Sequence, residues 1–140
     1  MSFAWIEYLT VAEALVRHRD TFADPEACCR AAISRAYYAA YCAARNHARD
    51  VEGLALVQTG ADHHHVLVHY RQAPDTPHQT LGALLFRLRR ERALADYTDT
   101  LANAVPRALT ACRSARRVFT LLQSLAPSTS RAVRDGPQGR

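Results

Sequence analysis

The segment "SRAYYAAYCAAR", residues 34–45, places several reactive side chains along an otherwise alanine-rich helix. Arg35, Tyr38 and Cys42 stand at i, i+3 and i+7, so they share one helix face. One interpretation is that Arg35 and Tyr38 line a polar groove between helices or between subunits. The other is structural: Tyr37 and Tyr38 are core rings with solvated hydroxyls, and Arg35 pairs with an acidic side chain.

A second polar segment is "LRRERALADY", residues 88–97. Arg92 and Asp96 stand at i, i+4 and can form an ion pair along a helix. An exposed pair of this kind contributes only about 0.3–0.5 kcal/mol, so a solvated helix face is sufficient to explain the two charges. A solvated face explains Tyr97 less well, because a ring at the end of a helix usually packs against another group.

The histidines and cysteines are the side chains that could bind a transition metal. His65 and His69 have the i, i+4 spacing of two zinc ligands on a helix, but neither His64 nor His65 is followed by a glutamate that could act as a general base. The four cysteines form no C-x-x-C pair, so we expect reduced and mostly buried thiols. We therefore expect no metal and no cofactor.

The composition favours a cytoplasmic protein with an affinity for phosphate. The formal net charge is +5, and all 18 basic residues are arginine. Arginine suits planar, bidentate partners such as phosphate, although GC-rich coding also replaces lysine by arginine. No segment contains the roughly 18 apolar residues that a membrane span needs, so we expect no membrane association.

Apolar spacing and capping signals predict an all-α protein. We expect an antiparallel bundle of four long helices plus one short helix, formed by residues 1–126, and a disordered tail over residues 127–140. Asp24 and Pro25 predict the start of a long helix that continues to about Arg49, and Thr76 is the expected cap of a later one. The expected core positions of the last two helices are Leu81, Leu84, Leu85, Leu88, Leu94 or Ala95, then Val105, Leu109, Cys112, Ala115 or Arg116, Phe119 and Leu122.

Taken together and in this order, the two polar segments resemble the HEPN superfamily, and in particular its small stand-alone bacterial and archaeal members. Those proteins carry S-R-x-Y-Y-A-x-F-H in their second helix and R-x-x-A-D-Y in their fourth. Ser34, Arg35, Tyr37, Tyr38 and Ala39 match the first motif, and residues 92–97 match the second. Tyr41 replaces the phenylalanine, and Cys42 stands where the relatives carry histidine.

The resemblance implies a helical bundle that usually forms a homodimer. Many HEPN domains are metal-independent ribonucleases of toxin–antitoxin or defence systems, and several are encoded beside a nucleotidyltransferase that acts as antitoxin. Others are non-catalytic binding or assembly modules. Transferred residue by residue, the resemblance assigns catalysis to Arg35, Arg92 and Asp96, and RNA or nucleotide binding to Ser34, Tyr37, Tyr38, Cys42 and Tyr97.

The family's catalytic signature is an arginine and a histidine separated by four to six residues, and Cys42 interrupts it here. Arg71 and His78 satisfy the spacing formally, but Pro74 and Pro77 between them prevent a shared helix face. Three hypotheses therefore remain: a ribonuclease that uses Asp96 or a histidine from another helix, such as His47 or His69; a binding module that has lost catalysis; and a buried polar network that only orients helices.

Overall fold

The computed structural model describes residues 2–125, and it confirms the all-α prediction, since no strand occurs in that range. Three helices have 22 residues or more, two have 11 or 12, and one is a single turn, which differs from the expected four long helices and one short one. The helices are α1 (Ile6–Arg17), α2 (Arg19–Phe22), α3 (Pro25–Asp50), α4 (Ala61–Arg71), α5 (Thr76–Tyr97) and α6 (Ala104–Leu125).

Helix α3 is the centre of the fold and packs against α1, α5 and α6. It begins as predicted: Pro25 occupies the first turn, and the Asp24 side chain accepts a hydrogen bond of 2.9 Å from the Ala27 amide. Its alanines provide the close contacts, because a methyl group lets a neighbouring helix approach without a gap. The fully buried alanines are Ala32, Ala36, Ala39, Ala40, Ala44 and Ala48.

The predicted core of α5 is confirmed, and that of α6 is partly wrong. Leu81, Leu84, Leu85 and Leu88 of α5 are all buried. In α6, however, Leu109 is 42% exposed, and the neighbouring Ala108 is fully buried in its place. Small residues form much of the buried face of α6. The apolar character of Leu109 therefore did not indicate how the helix is oriented.

The start of α5 also differs from expectation in one detail. The cap is Asp75 rather than Thr76, and its carboxylate accepts the His78 amide at 3.1 Å. The predicted tail, residues 127–140, lies outside the described residues. No helix within residues 2–125 combines the length and apolar character needed to cross a membrane. All four cysteines are buried and free, as expected.

Gly82 allows α4 and α5 to meet closely. A Cβ atom at Gly82 would lie 2.6 Å from Cγ and 2.8 Å from the backbone nitrogen of Arg71, at the end of α4. Gly82→Ala should therefore lower the free energy of unfolding by about 1–3 kcal/mol, despite the better helix propensity of alanine. Urea denaturation measures this effect. Gly60→Ala is the matched control, because no atom approaches its added Cβ within 4 Å, and greater stability of Gly82→Ala would contradict the prediction.

Candidate functional site

Arg30 fastens the start of α3 to the end of α5, and this contact brings the two polar segments together. Its guanidinium donates hydrogen bonds to the carbonyls of Ala95 at 2.9 Å, Thr98 at 2.7 Å and Asp99 at 3.3 Å. These carbonyls belong to the last turn of α5 and the residues after it, where no helical amide is available to bond them. As a result, the motif residues of α3 face those of α5, and most of the predicted site residues form one cluster.

Arg92 is the central cation of this cluster. Its guanidinium carbon lies 5.5, 5.7 and 5.9 Å from the ring centroids of Tyr37, Tyr38 and Tyr97. The side chain is 15% exposed, and within residues 2–125 its buried Nε atom has no hydrogen-bond partner. Buried donors are usually bonded, so this unpaired guanidinium nitrogen within a cage of rings is an exception.

Asp96 is the acidic member of the cluster. The predicted pair with Arg92 is present but long, with 3.8 Å between the Arg92 and Asp96 side chains. Asp96 also accepts a hydrogen bond of 3.2 Å from the hydroxyl of Ser34, which joins the two motifs directly. At 3.8 Å the two side chains form an ion pair without a hydrogen bond.

Arg35 is the second arginine that contacts Tyr38. Its guanidinium carbon is 5.3 Å from the Tyr38 ring and 5.0 Å from the ring of Tyr8, which belongs to α1. Within residues 2–125 Arg35 forms no ion pair, so its alternative assignment as the partner of an acidic side chain does not hold. Tyr38 therefore has two arginine side chains near its ring.

His63, in the first turn of α4, is a member of the cluster that the sequence analysis missed. Its Nδ1 atom lies 2.5 Å from the hydroxyl of Tyr37, and its ring stacks on Tyr41 with 4.0 Å between centroids and 5° between planes. Burial, and then the charges of Arg89 and Arg92, lower the pKa of His63 below its ordinary value. The imidazole is therefore mainly neutral at pH 7 and able to accept a proton.

A sequence signal for His63 does exist. His63, Val66 and Tyr70 stand at i, i+3 and i+7, and the last two are fully buried, so the three share the inner face of α4. His64 and His65, by contrast, are exposed. Sorting the three adjacent histidines by helix face would have singled out His63.

Cys42 and Tyr37 are the predicted site residues that lie deepest. Cys42 is 5% exposed and belongs to the main core, and burial raises the pKa of its thiol. Tyr37 is fully buried, and burial raises its pKa as well, so its hydroxyl stays protonated beside His63. Tyr97 is at the other extreme, 76% exposed at the end of α5. The accessible part of the cluster thus consists of Arg35, Tyr38, Arg92, Asp96 and Tyr97.

A cavity of about 420 Å³ opens beside His63. It is bordered by the positive side chains of Arg45 and Arg49 and by the stacked rings of Tyr41 and His63. The buried Asp62 carboxylate in its wall is already occupied, because it accepts the amides of Val57 and Gln58 at 2.9 and 2.7 Å. The cavity therefore offers rings and positive charge, a combination that suits a nucleotide.

The other histidines considered from the sequence lie elsewhere. His47 and His69 do not reach the arginine cluster, and both contact Glu52 instead. His78 also contacts Glu52. Within residues 2–125, no three histidine, cysteine, aspartate or glutamate side chains are arranged to hold a metal ion.

Comparison with known proteins supplies no relative. No protein-family model, no curated protein and no solved structure matches this chain. The HEPN resemblance rests on the two motifs described above, and the functional argument rests on the geometry of the cluster that they form.

Proposed function

We propose that the protein is an HEPN-type, metal-independent endoribonuclease that binds an RNA phosphate at Arg35 and Arg92. The observation that carries the proposal is the Arg92 guanidinium, held among three tyrosine rings, together with a second arginine that contacts Tyr38. Two arginines on one ring favour a polyanion that also presents bases for stacking. Tyr38 and the exposed Tyr97 are placed to contact those bases.

The reaction that fits these groups is transesterification within RNA. The 2′-oxygen bonds to phosphorus while the bond from phosphorus to the 5′-oxygen breaks, which leaves a 2′,3′-cyclic phosphate and a free 5′-hydroxyl. A base takes the proton of the 2′-hydroxyl, and an acid returns a proton to the departing oxygen. His63 is the neutral base of the cluster, while Arg35 and Arg92 stabilise the charge that develops on the phosphate oxygens.

A second candidate is a non-catalytic HEPN module that holds RNA, a nucleotide or a partner protein such as a nucleotidyltransferase. The favouring observation is Cys42, which occupies the histidine position of the family motif and is buried with a raised thiol pKa. Such a thiol is a poor acid–base group. Both candidates carry the homodimer that the resemblance implies and the cytoplasmic location that the sequence favours.

One experiment tests the proposal and separates the two candidates. Purified wild-type protein, Arg35→Ala and the control Arg113→Ala are incubated with structured RNA in EDTA, and melting curves are recorded for all three. We expect wild type and Arg113→Ala to cleave and Arg35→Ala to lose about 100-fold or more in rate, with similar melting temperatures. Arg113 is exposed on α6, so its replacement removes one charge outside the cluster. RNA binding without cleavage by wild type would establish the second candidate.

A further inference from the structure

A second cluster of titratable groups, away from the arginines, surrounds Glu52 in the turn after α3. One carboxylate oxygen lies 2.6 Å from Nε2 of His69, and the other lies 3.1 Å from Nε2 of His47 and 2.6 Å from Nε2 of His78. The three histidines come from α3, α4 and α5. A single, largely buried carboxylate therefore joins the end of α3 to the end of α4 and the start of α5.

His78 differs from the other two histidines because both of its ring nitrogens meet a carboxylate. Nδ1 lies 2.8 Å from Oδ2 of Asp75, and Nε2 lies 2.6 Å from Oε2 of Glu52. An ionised carboxylate only accepts hydrogen bonds, so each contact requires a hydrogen on the nitrogen. A neutral imidazole carries one such hydrogen, whereas the imidazolium carries two. The geometry thus requires the positively charged ring.

We propose that His78 is a resident imidazolium that acts as a proton-operated latch, holding α4 and the start of α5 against the end of α3. While the proton is present, the ring bridges Asp75 and Glu52, and Glu52 in turn holds His69 and His47. When the proton leaves, His78 can donate to only one of the two carboxylates, and the other is left facing a lone pair. The latch is independent of the proposed function, because it uses none of the arginine cluster.

The groups that surround His78 are consistent with a second proton held on its ring. From α4, the Tyr70 ring stacks on His78 with 5.7 Å between centroids, and its hydroxyl donates to the Ala44 carbonyl at 2.7 Å. His69 from α4 and His47 from α3 complete the surroundings of Glu52. The nearby charges of Arg49 and Asp50 are paired with each other on the surface. His78 thus lies between two carboxylates, and within residues 2–125 no arginine is among the groups that contact it.

The direction of the pH dependence follows from these contacts. Burial lowers the pKa of His78, but its hydrogen bonds to Asp75 and Glu52 outweigh burial and raise that pKa above the ordinary 6.5. Burial raises the pKa of Glu52, and the bonds from His69 and His78 outweigh it, so the net change is a lowering. Because the pKa of His78 is raised, the stabilisation that its proton gives to the fold is complete below pH 6.5 and is lost as the pH rises through the raised pKa. Because the pKa of Glu52 is lowered, the stabilisation from its carboxylate is lost only in acid. The latch therefore opens on the alkaline side.

Asp75→Asn is the sharpest variant, because asparagine keeps the helix cap and removes only the charge next to Nδ1. Asp24→Asn makes the same change at the cap of α3, which has no histidine partner, and serves as the control. Long-range ¹⁵N NMR of the histidine rings follows protonation between pH 5.5 and 9 in EDTA, and thermal melts are recorded over the same range.

In wild type and Asp24→Asn, we expect His78 to be doubly protonated at pH 7 and to titrate above 6.5. Their melting temperature should fall by roughly 4 °C as His78 loses its proton. In Asp75→Asn, the proton affinity of His78 should be roughly tenfold weaker, and the alkaline fall should move to lower pH. A neutral His78 in wild type at pH 7, or an unchanged titration in Asp75→Asn, would overturn the latch. The latch would also be overturned if added Zn²⁺ stabilised the wild type and removed the NMR signals of the histidine–carboxylate contacts. That result would make the cluster a metal site.

Discussion

Replacing Arg92 by alanine should slow metal-free RNA cleavage by about 100- to 1,000-fold, the loss typical of removing one positioned group that stabilises charge in the transition state. Arg92 faces the rings of Tyr37, Tyr38 and Tyr97, and within residues 2–125 its only ion-pair partner, Asp96, is 3.8 Å away. RNA affinity should also fall. The slope of log affinity against log salt concentration should become shallower by about the amount that one phosphate contact contributes. Cleavage assays in EDTA and binding measured at several salt concentrations test both parts.

Arg90→Ala is the matched control for this variant. Arg90 lies two residues earlier on α5 and is exposed, so its removal changes the net charge equally and leaves the tyrosine cage intact. Arg92→Lys tests geometry, because an ammonium group keeps the charge but loses the planar, bidentate contact. We expect Arg92→Lys to cleave slowly and to bind RNA better than Arg92→Ala.

A purely structural role for Arg92 makes a different set of predictions. If Arg92 only balances Asp96 and orients helices, its removal leaves a partly buried carboxylate unpaired and lowers the melting temperature sharply. Wild-type cleavage by a destabilised Arg92→Ala would therefore contradict the phosphate-binding role. Loss of cleavage at an unchanged melting temperature would support it.

Much of the fold could be predicted from local signals. The Asp24–Pro25 pair marks the start of α3 because it acts within four residues, and the bounds of α6 follow from the same kind of local pattern. The orientation of α6 could not be predicted from local signals. Leu109 is larger than Ala108, yet the space next to α3 admits only the smaller side chain, and that space is a property of the assembled bundle.

The site shows the same division between local and tertiary information. Helical spacing placed Arg35 with Tyr38, and Arg92 with Asp96. Their meeting is a tertiary contact, and the bonds of Arg30 to the end of α5, which accompany it, span more than 60 residues of sequence. No spacing rule connects such positions. His63 was missed for a related reason, since its role comes from the Tyr37 hydroxyl across a helix interface.

His63→Gln should reduce the rate of cleavage by about 100- to 10,000-fold, the usual contribution of a proton-transfer group, while RNA affinity stays within about threefold of wild type. Glutamine retains a planar polar group that can bond the Tyr37 hydroxyl and stack on Tyr41, but it cannot exchange protons near neutral pH. His64→Gln is the control, because His64 is adjacent in sequence and exposed. Single-turnover cleavage and RNA binding, measured side by side, separate the chemical step from binding.

The pH profile gives the histidine assignment a second and independent test. Because the pKa of His63 lies below the ordinary 6.5, the midpoint of the acidic fall in wild-type cleavage should lie below pH 6.5, as the ring takes up a proton. If Cys42 were the base instead, cleavage would rise only above about pH 9, because burial raises the pKa of its thiol. Cleavage by His63→Gln at the wild-type rate, or a wild-type profile that rises only in alkali, would exclude His63 as the proton-transfer group. Loss of the acidic limb in His63→Gln, with RNA still bound, would assign to α4 the histidine that the α3 motif lacks.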